Sequence, residues 1–164
     1  VVPAEQRRLP LRLDRFDGAG WLDEVLRRIQ NELFDLGSEL ATPPGAEYEG
    51  KYRVGDLEVR AMEALMDECL KDLEPLRSFT LPGGGRVNAF LHQARTVCRR
   101  AERTVLRLSR EEAIGEGPLR FLNRLSDLFF VLSRWVAKHL GEQECLWERG
   151  LRRGTSARGG GPAA

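Results

Sequence analysis

Apolar residues recur at intervals of three and four along four segments of this chain, and proline or glycine residues separate the segments. The stripe in the first segment consists of aliphatic residues only: Leu22, Val25, Leu26, Ile29, Leu33, Leu36 and Leu40. This spacing places them on one face of a helix, which Pro43 ends because it disfavours helical geometry at the residue before it. The same pattern predicts helices over about 21–41, 56–74, 86–110 and 118–140.

No segment alternates apolar and polar residues as a half-buried strand does, and the sequence contains no repeat. Four helices joined by short loops predict an all-α fold, an antiparallel helical bundle. We expect Asp56 to cap the second helix. The apolar spacing also predicts that Leu57, Phe90 and Val97 face the core.

The 164 residues suit a single core, and we expect the bundle to occupy residues 21–149. Residues 1–20 mix arginine, proline and glycine without a helical period, which predicts a leader or the stump of a truncated chain. Residues 150–164 are rich in arginine and glycine, which predicts a disordered tail.

The composition disfavours several classes of protein. The 26 basic and 25 acidic side chains leave a net charge of +1, which argues against a nucleic-acid partner. No apolar run approaches the roughly 18 residues that a membrane span needs, so we expect no membrane partner and a protein that is cytoplasmic or fully processed. The three cysteines, Cys69, Cys98 and Cys145, are far apart and favour reduced packing thiols over a disulfide scaffold or a metal site.

A polar stripe adjoins the apolar face of the third helix and consists of Asn88, His92, Arg95, Arg99 and Glu102. Charged groups beside a core must either pair with a neighbouring helix or contact a ligand, and the pattern alone leaves both open. On the fourth helix, Asn123 and Asp127 lie one turn apart, and we expect them to face Arg134. An amide near guanidinium groups suits the ribose and polyphosphate of a nucleotide.

The turn before the third helix contains Phe79 and three consecutive glycines, Gly83 to Gly85. Glycines before a helix can expose backbone amides to an anion, but most such turns are connectors, and this one lacks the lysine of a phosphate-binding loop. Phe79 is either a core residue or a ligand contact. The sequence leaves these alternatives open.

Four longer strings carry a more specific signal: IQNELFDLGSELATP (29–43), FTLPGG (79–84), LHQARTVCRRAER (91–103) and LNRLSD (122–127). In this order they closely resemble the PduO-type ATP:cob(I)alamin adenosyltransferases, over about residues 21–150. The resemblance implies a homotrimer of bundles, five-helical in the full family fold, with active sites between subunits. It also implies transfer of the 5′-deoxyadenosyl group of ATP, bound with Mg²⁺, to cob(I)alamin. A flavin-type reductant would make cob(I)alamin from cob(II)alamin.

The resemblance also assigns residues. Those matching the family's ATP contacts are Arg99, Arg100, Ala101, Glu102, Arg103 and Asn123. Arg95 matches an arginine that forms a salt bridge with an aspartate of the adjacent subunit. Phe79 matches the phenylalanine that closes the lower face of the corrin ring. The resemblance therefore implies catalytic roles for Phe79, Arg95 and Arg99.

One departure from the family pattern stands out. Family members begin with a Thr-Gly-Asp-x-Gly-x-Thr loop around the ATP phosphates and a helix with an Asp-Glu-Leu-Asn string, and residues 1–20 contain neither. We expect the sequence to be a fragment of a normal enzyme, because every other motif is intact. The alternative is a non-catalytic corrinoid- or nucleotide-binding bundle, which predicts binding without turnover.

Overall fold

The computed structural model describes residues 19–43, 45–46 and 50–150. Over these residues the chain forms, in order, α1 (Ala19–Ala41), α2 (Asp56–Lys71), β1 (Thr80–Leu81), α3 (Arg86–Leu108), α4 (Gly117–His139) and β2 (Cys145–Leu146). The predicted four helices are confirmed, with ends that shift by a few residues. The expectations for residues 1–18 and 151–164 lie outside the described residues. None of the described helices has the length and apolar character that a bilayer crossing requires.

Helices α3 and α4 pack against each other more extensively than any other pair of described elements, and they run antiparallel. Near the start of α3, the Asn88 amide donates to the carbonyl of Ser133 at 3.0 Å. Further along α3, the Cys98 thiol donates to the carbonyl of Leu122 at 3.2 Å. Because partners on α4 come earlier as α3 advances, the two helices form a hairpin whose seam carries the predicted polar stripe.

The α2 helix runs parallel to α4, as alternate helices of an up-and-down bundle do. Asp56 at the start of α2 pairs with Arg120 near the start of α4 at 2.6 Å. Asp72, which follows α2, accepts from the indole nitrogen of Trp135 near the end of α4 at 3.2 Å. The Trp135 ring also packs on Trp21 at the start of α1, with 5.2 Å between ring centroids.

The core is centred on α4. Phe121, Leu125 and Leu132 have no exposed surface, and every residue from 131 to 137 is buried. Cys69 and Cys98 are also buried and free, as predicted, and burial raises the pKa of both thiols to about 12. These two cysteines therefore act as packing groups.

The expectation of no strands was wrong. β1 and β2 pair antiparallel, with Thr80 opposite Leu146 and Leu81 opposite Cys145. Each strand has two residues, which is too short for an alternating pattern to appear in the sequence. The pairing matters because it ties the segment after α4 to the turn before α3.

Two local expectations also need correction. The residue that caps α2 is Gly55, and its amide donates to the carboxylate of Glu58 at 2.8 Å, so Asp56 is already inside the helix. Leu57, Phe90 and Val97 are exposed by 52%, 63% and 46%, and do not face the core. Phe90 and Val97 extend the apolar stripe of α3 beyond the surface that α4 covers.

Candidate functional site

A cleft of about 410 Å³ opens between α3 and the first half of α4. Its lining includes most of the residues that match the family's ATP contacts, and consists of Arg99, Glu102, Arg103, Leu106, Leu119, Arg120 and Asn123. The structure therefore brings together side chains from two helices that are separated by eight residues in sequence.

The charges of this cleft are only partly balanced. The amide of Asn123 donates to the carboxylate of Glu102 at 2.9 Å, and Arg120 pairs with Asp56. Within the described part of the chain, the side chains of Arg99 and Arg103 make no hydrogen bond or ion pair. Guanidinium groups with open donors suit the oxygen atoms of a polyphosphate.

Two of the matched residues do not line this cleft. Arg100 lies on the exposed surface of α3, and its carbonyl accepts from the hydroxyl of Thr104 at 3.1 Å. Ala101 is half-buried and packs against the core. Their assignment as ATP contacts stays a prediction.

A second, larger cavity of about 770 Å³ lies beside the Phe79 turn. It is lined by Leu76, Arg77, Ser78, Phe79, Thr80, Pro82, His92, Arg95, Thr96, Phe130 and Trp147. Phe79 is 77% exposed, which removes the alternative that it is a core residue. Its ring meets Trp147 edge-on, with 6.1 Å between centroids.

Arg95 lies between this cavity and α4. Its guanidinium carbon sits 5.1 Å from the centre of the Phe130 ring, a cation–π distance. The Nε atom of Arg95 is buried and has no hydrogen-bond partner among the described residues. A buried donor without a partner costs about 1–3 kcal/mol, so the position favours a further acceptor.

The first half of the polar stripe serves pairing between helices. The Ser133 hydroxyl donates to the carbonyl of Phe130 at 2.7 Å, so the Nε2 atom of His92, at 3.3 Å, is the donor to Ser133 Oγ. Burial lowers the pKa of His92 from 6.5, and the positive charge of Arg95 lowers it further. The negative charge of Glu144 acts in the opposite direction but does not cancel these effects. The lowered pKa favours the neutral imidazole, and the hydrogen bond to Ser133 orients the ring at the wall of the cavity.

The cleft and the cavity are neighbours along α3. His92, Arg95 and Thr96 line the cavity, and Arg99 and Glu102 line the cleft. Arg95 and Arg99 are four residues apart, which corresponds to about 6 Å along the helix axis. The two sites therefore share α3 as a common wall.

The structure corrects the expectation for Arg134. Its side chain is buried, pairs with Glu144 at 2.7 Å and donates to the carbonyl of Glu74 at 2.9 Å. Asp127 instead accepts from Arg124 at 3.2 Å. Arg134 belongs to the framework and does not contribute to the cleft.

The glycine turn is covered by the segment after α4. A Cβ atom on Gly85 would overlap the carboxylate of Glu142, and one on Gly84 would lie 2.0 Å from the carbonyl oxygen of Gln143. Gly84 also has a φ of +91°. The turn acts as a connector, and the carboxylate of Glu142 occupies the space beside Gly85 that an anion would need.

Sequence reasoning missed two aromatic residues of the cavity. Phe130 follows Phe129, and only Phe129 fits the apolar stripe of α4. The signal in the sequence was therefore a second aromatic residue that lies next to the stripe and has no place in it. Trp147 lies beyond the last predicted helix in a segment without periodicity. Among the described residues, no group of three or more histidine, cysteine, aspartate or glutamate side chains is arranged to hold a metal ion.

Fold and site together define a mainly helical protein in which a cationic cleft adjoins an aromatic cavity. Residues 12–136 match the model of the cobalamin adenosyltransferase family. The chain belongs to this family.

Curated relatives support the same assignment. The chain is 42% identical over 125 residues to a cobalamin adenosyltransferase of Cupriavidus metallidurans, a match that covers 76% of this chain and 65% of that protein. It is 39% identical over 127 residues to the human corrinoid adenosyltransferase, with 76% and 51% covered. The chain thus spans about half to two thirds of the length of these relatives.

Solved structures of a PduO-type ATP:corrinoid adenosyltransferase from Lactobacillus reuteri are also similar. A variant complexed with cobalamin and ATP superposes with a TM-score of 0.72 and 35% identity, covering 77% of this chain and 70% of that one. A second variant, complexed with ATP, has the same TM-score and identity and covers 71% of its chain.

Proposed function

We propose that this protein transfers the 5′-deoxyadenosyl group of ATP to cob(I)alamin, giving adenosylcobalamin and triphosphate. The observation that carries the proposal is the shared wall: α3 presents an arginine-lined cleft and an aromatic cavity about one helical turn apart. A reaction between a nucleotide and a corrin needs two sites that adjoin in this way.

The chemistry gives the cleft its task. The cobalt(I) lone pair attacks C5′ of the ribose and forms the cobalt–carbon bond, while the C5′–oxygen bond breaks and its electron pair leaves with the triphosphate. Arg99 and Arg103 stabilise the charge that develops on that leaving group. Mg²⁺ accompanies ATP as a counter-ion of the phosphates.

Phe79 serves the step before transfer. Cobalt(II) is reduced more easily when its lower axial ligand is absent, and an apolar ring against the lower corrin face excludes that ligand. The exposed ring of Phe79 at the edge of the cavity suits this role. A flavin-type reductant then supplies the electron that converts cobalt(II) to cobalt(I).

We also propose a homotrimer with sites between subunits. Phe90 and Val97 leave an apolar surface on α3 that the described residues do not cover, and Phe34 is 80% exposed on α1. The unpartnered Nε of Arg95 supports contact with a carboxylate of a neighbouring subunit. A reducing compartment, the cytoplasm, suits three free cysteines.

The test is an anaerobic assay with cob(I)alamin and Mg-ATP. A new absorbance of the cobalt–carbon bond should appear at a rate that depends on both substrates. Arg99→Ala should lose at least about tenfold in kcat/KM, since a charge-assisted contact to phosphate is worth about 1.5–3 kcal/mol. Arg107→Ala is the matched control, because Arg107 is an exposed arginine on α3 outside the cleft.

The two candidate functions give different results in the same experiment. Binding of ATP and cobalamin without any cobalt–carbon absorbance, from folded protein, would favour the non-catalytic bundle. Equal losses in Arg99→Ala and Arg107→Ala would show that the cleft is not the nucleotide site.

A further inference from the structure

The Phe79 ring has little support from the helical core. It is 77% exposed and lies just before β1, in a turn between α2 and α3. An exposed aromatic side chain retains rotamer freedom unless a neighbour restricts it, and that freedom must be lost when the ring is placed under a ligand. The neighbour that restricts it is therefore part of the site.

Trp147 contacts Phe79 through both backbone and ring. The amide of Trp147 donates to the carbonyl of Phe79 at 2.7 Å. The two rings meet at 70°, in the edge-to-face geometry that aromatic pairs prefer. The hydroxyl of Ser78 closes a second link by donating to the carbonyl of Trp147 at 2.7 Å.

The segment that carries Trp147 is itself tied to the core. Leu146 pairs with Thr80 across the β1–β2 ladder, one residue before Trp147. Glu144 forms a 2.7 Å ion pair with Arg134, whose side chain is only 7% exposed. Residues 142–147, which we call the strap, thus connect buried α4 to the Phe79 turn.

We propose that Trp147 is a positioning residue that holds the Phe79 ring at the edge of the cavity, so that the strap sets where the lower face of a bound corrin rests. The inference depends on the proposed function for its ligand. Trp147 lines the same cavity as Phe79, so the loss of its indole ring would free Phe79 while leaving the backbone links of the strap in place.

The first measurement needs no ligand. Hydrogen exchange of the peptide that spans residues 78–82 should be faster in Trp147→Ala than in the wild-type protein, by about 2- to 12-fold, the factor that an edge-to-face aromatic pair represents in an equilibrium. Trp147→Phe should restore most of the protection. Leu146→Ala is the matched control, because Leu146 precedes Trp147 in the strap, is equally exposed at 43% and does not line the cavity.

The second measurement is the spectrum of bound cob(II)alamin in the presence of ATP. Trp147→Ala should reduce the ratio of four-coordinate to five-coordinate cobalt(II) by a similar factor, Trp147→Phe should reduce it less, and Leu146→Ala should leave it unchanged. A merely structural strap residue would not alter this ratio in folded protein.

The outcomes separate the two proposals. Unchanged exchange in Trp147→Ala overturns the positioning role, whatever the spectrum shows. Faster exchange together with an unaltered four-coordinate fraction also overturns it, since Phe79 would then be placed without Trp147. A third outcome is faster exchange in Trp147→Ala while the wild-type protein gives no four-coordinate cobalt(II). This result would confirm the contact between Trp147 and Phe79 and would overturn only the role assigned to Phe79.

Discussion

At the scale of single residues, Phe79 shows how exposure separates a core side chain from a ligand contact. A buried phenylalanine replaced by alanine costs about 3–5 kcal/mol of unfolding free energy. Phe79 is largely exposed and touches Trp147, so Phe79→Ala should cost at most about 1.5 kcal/mol. Bound cob(II)alamin should lose its four-coordinate spectrum in the same variant. Urea denaturation measures the stability loss, and the cobalt(II) spectrum measures the coordination of the bound cobalt. A large stability loss with an unchanged spectrum would refute the role of Phe79 as a ligand contact.

His92 gives a prediction on pH dependence. Its pKa in the folded protein lies below the ordinary 6.5, so between these two values the unfolded chain binds more protons than the folded protein. The free energy of unfolding should therefore fall as the pH drops from 6.5 towards the lower pKa. In His92→Gln, whose amide can still donate to Ser133, this part of the decline should disappear from urea titrations. An identical pH slope in both proteins would contradict the prediction.

At the scale of elements, the Gly84 turn and the strap depend on each other. Gly84 has a positive φ, and a Cβ there would meet backbone rather than a flexible side chain. Gly84→Ala should therefore lower the free energy of unfolding by about 1–3 kcal/mol. Gly115→Ala is the control, since nothing lies within 4 Å of a Cβ at that loop glycine, and it should change stability little. Equal effects in urea denaturation would show that the turn does not restrain the strap.

The helices were predictable because each carries a long stripe with a helical period, and proline or glycine marks its end. The strap was not, because two-residue strands and a salt bridge such as Arg134–Glu144 depend on partners distant in sequence. The same reason explains the errors at Phe90 and Val97. Periodicity shows which face of a helix is apolar, but it does not show how much of that face a neighbouring helix covers. The cleft residues were found through the resemblance, whereas spacing alone left pairing and ligand binding open.

At the scale of the whole molecule, the uncovered apolar surface of α3 predicts self-association. Phe90 is 63% exposed, and an aspartate at that position would bury a charge in the proposed interface. Phe90→Asp should therefore convert a trimer to monomers in sedimentation velocity. Leu57→Asp, at a similarly exposed leucine on α2, serves as the control and should leave the trimer intact. A monomeric wild-type protein, or a trimeric Phe90→Asp variant, would contradict the proposed assembly.

In the proposed reaction, α3 brings the C5′ carbon of ATP to the cobalt of a corrin. The most direct test of this reaction uses ATP labelled with ¹³C at C5′, reduced cobalamin and the purified protein under anaerobic conditions, with the products followed by NMR. The labelled carbon should become bonded to cobalt, and one intact triphosphate should be released for each adenosylcobalamin formed. Label that stays in ATP, or that appears with pyrophosphate or phosphate as the primary leaving group, would contradict the proposed reaction.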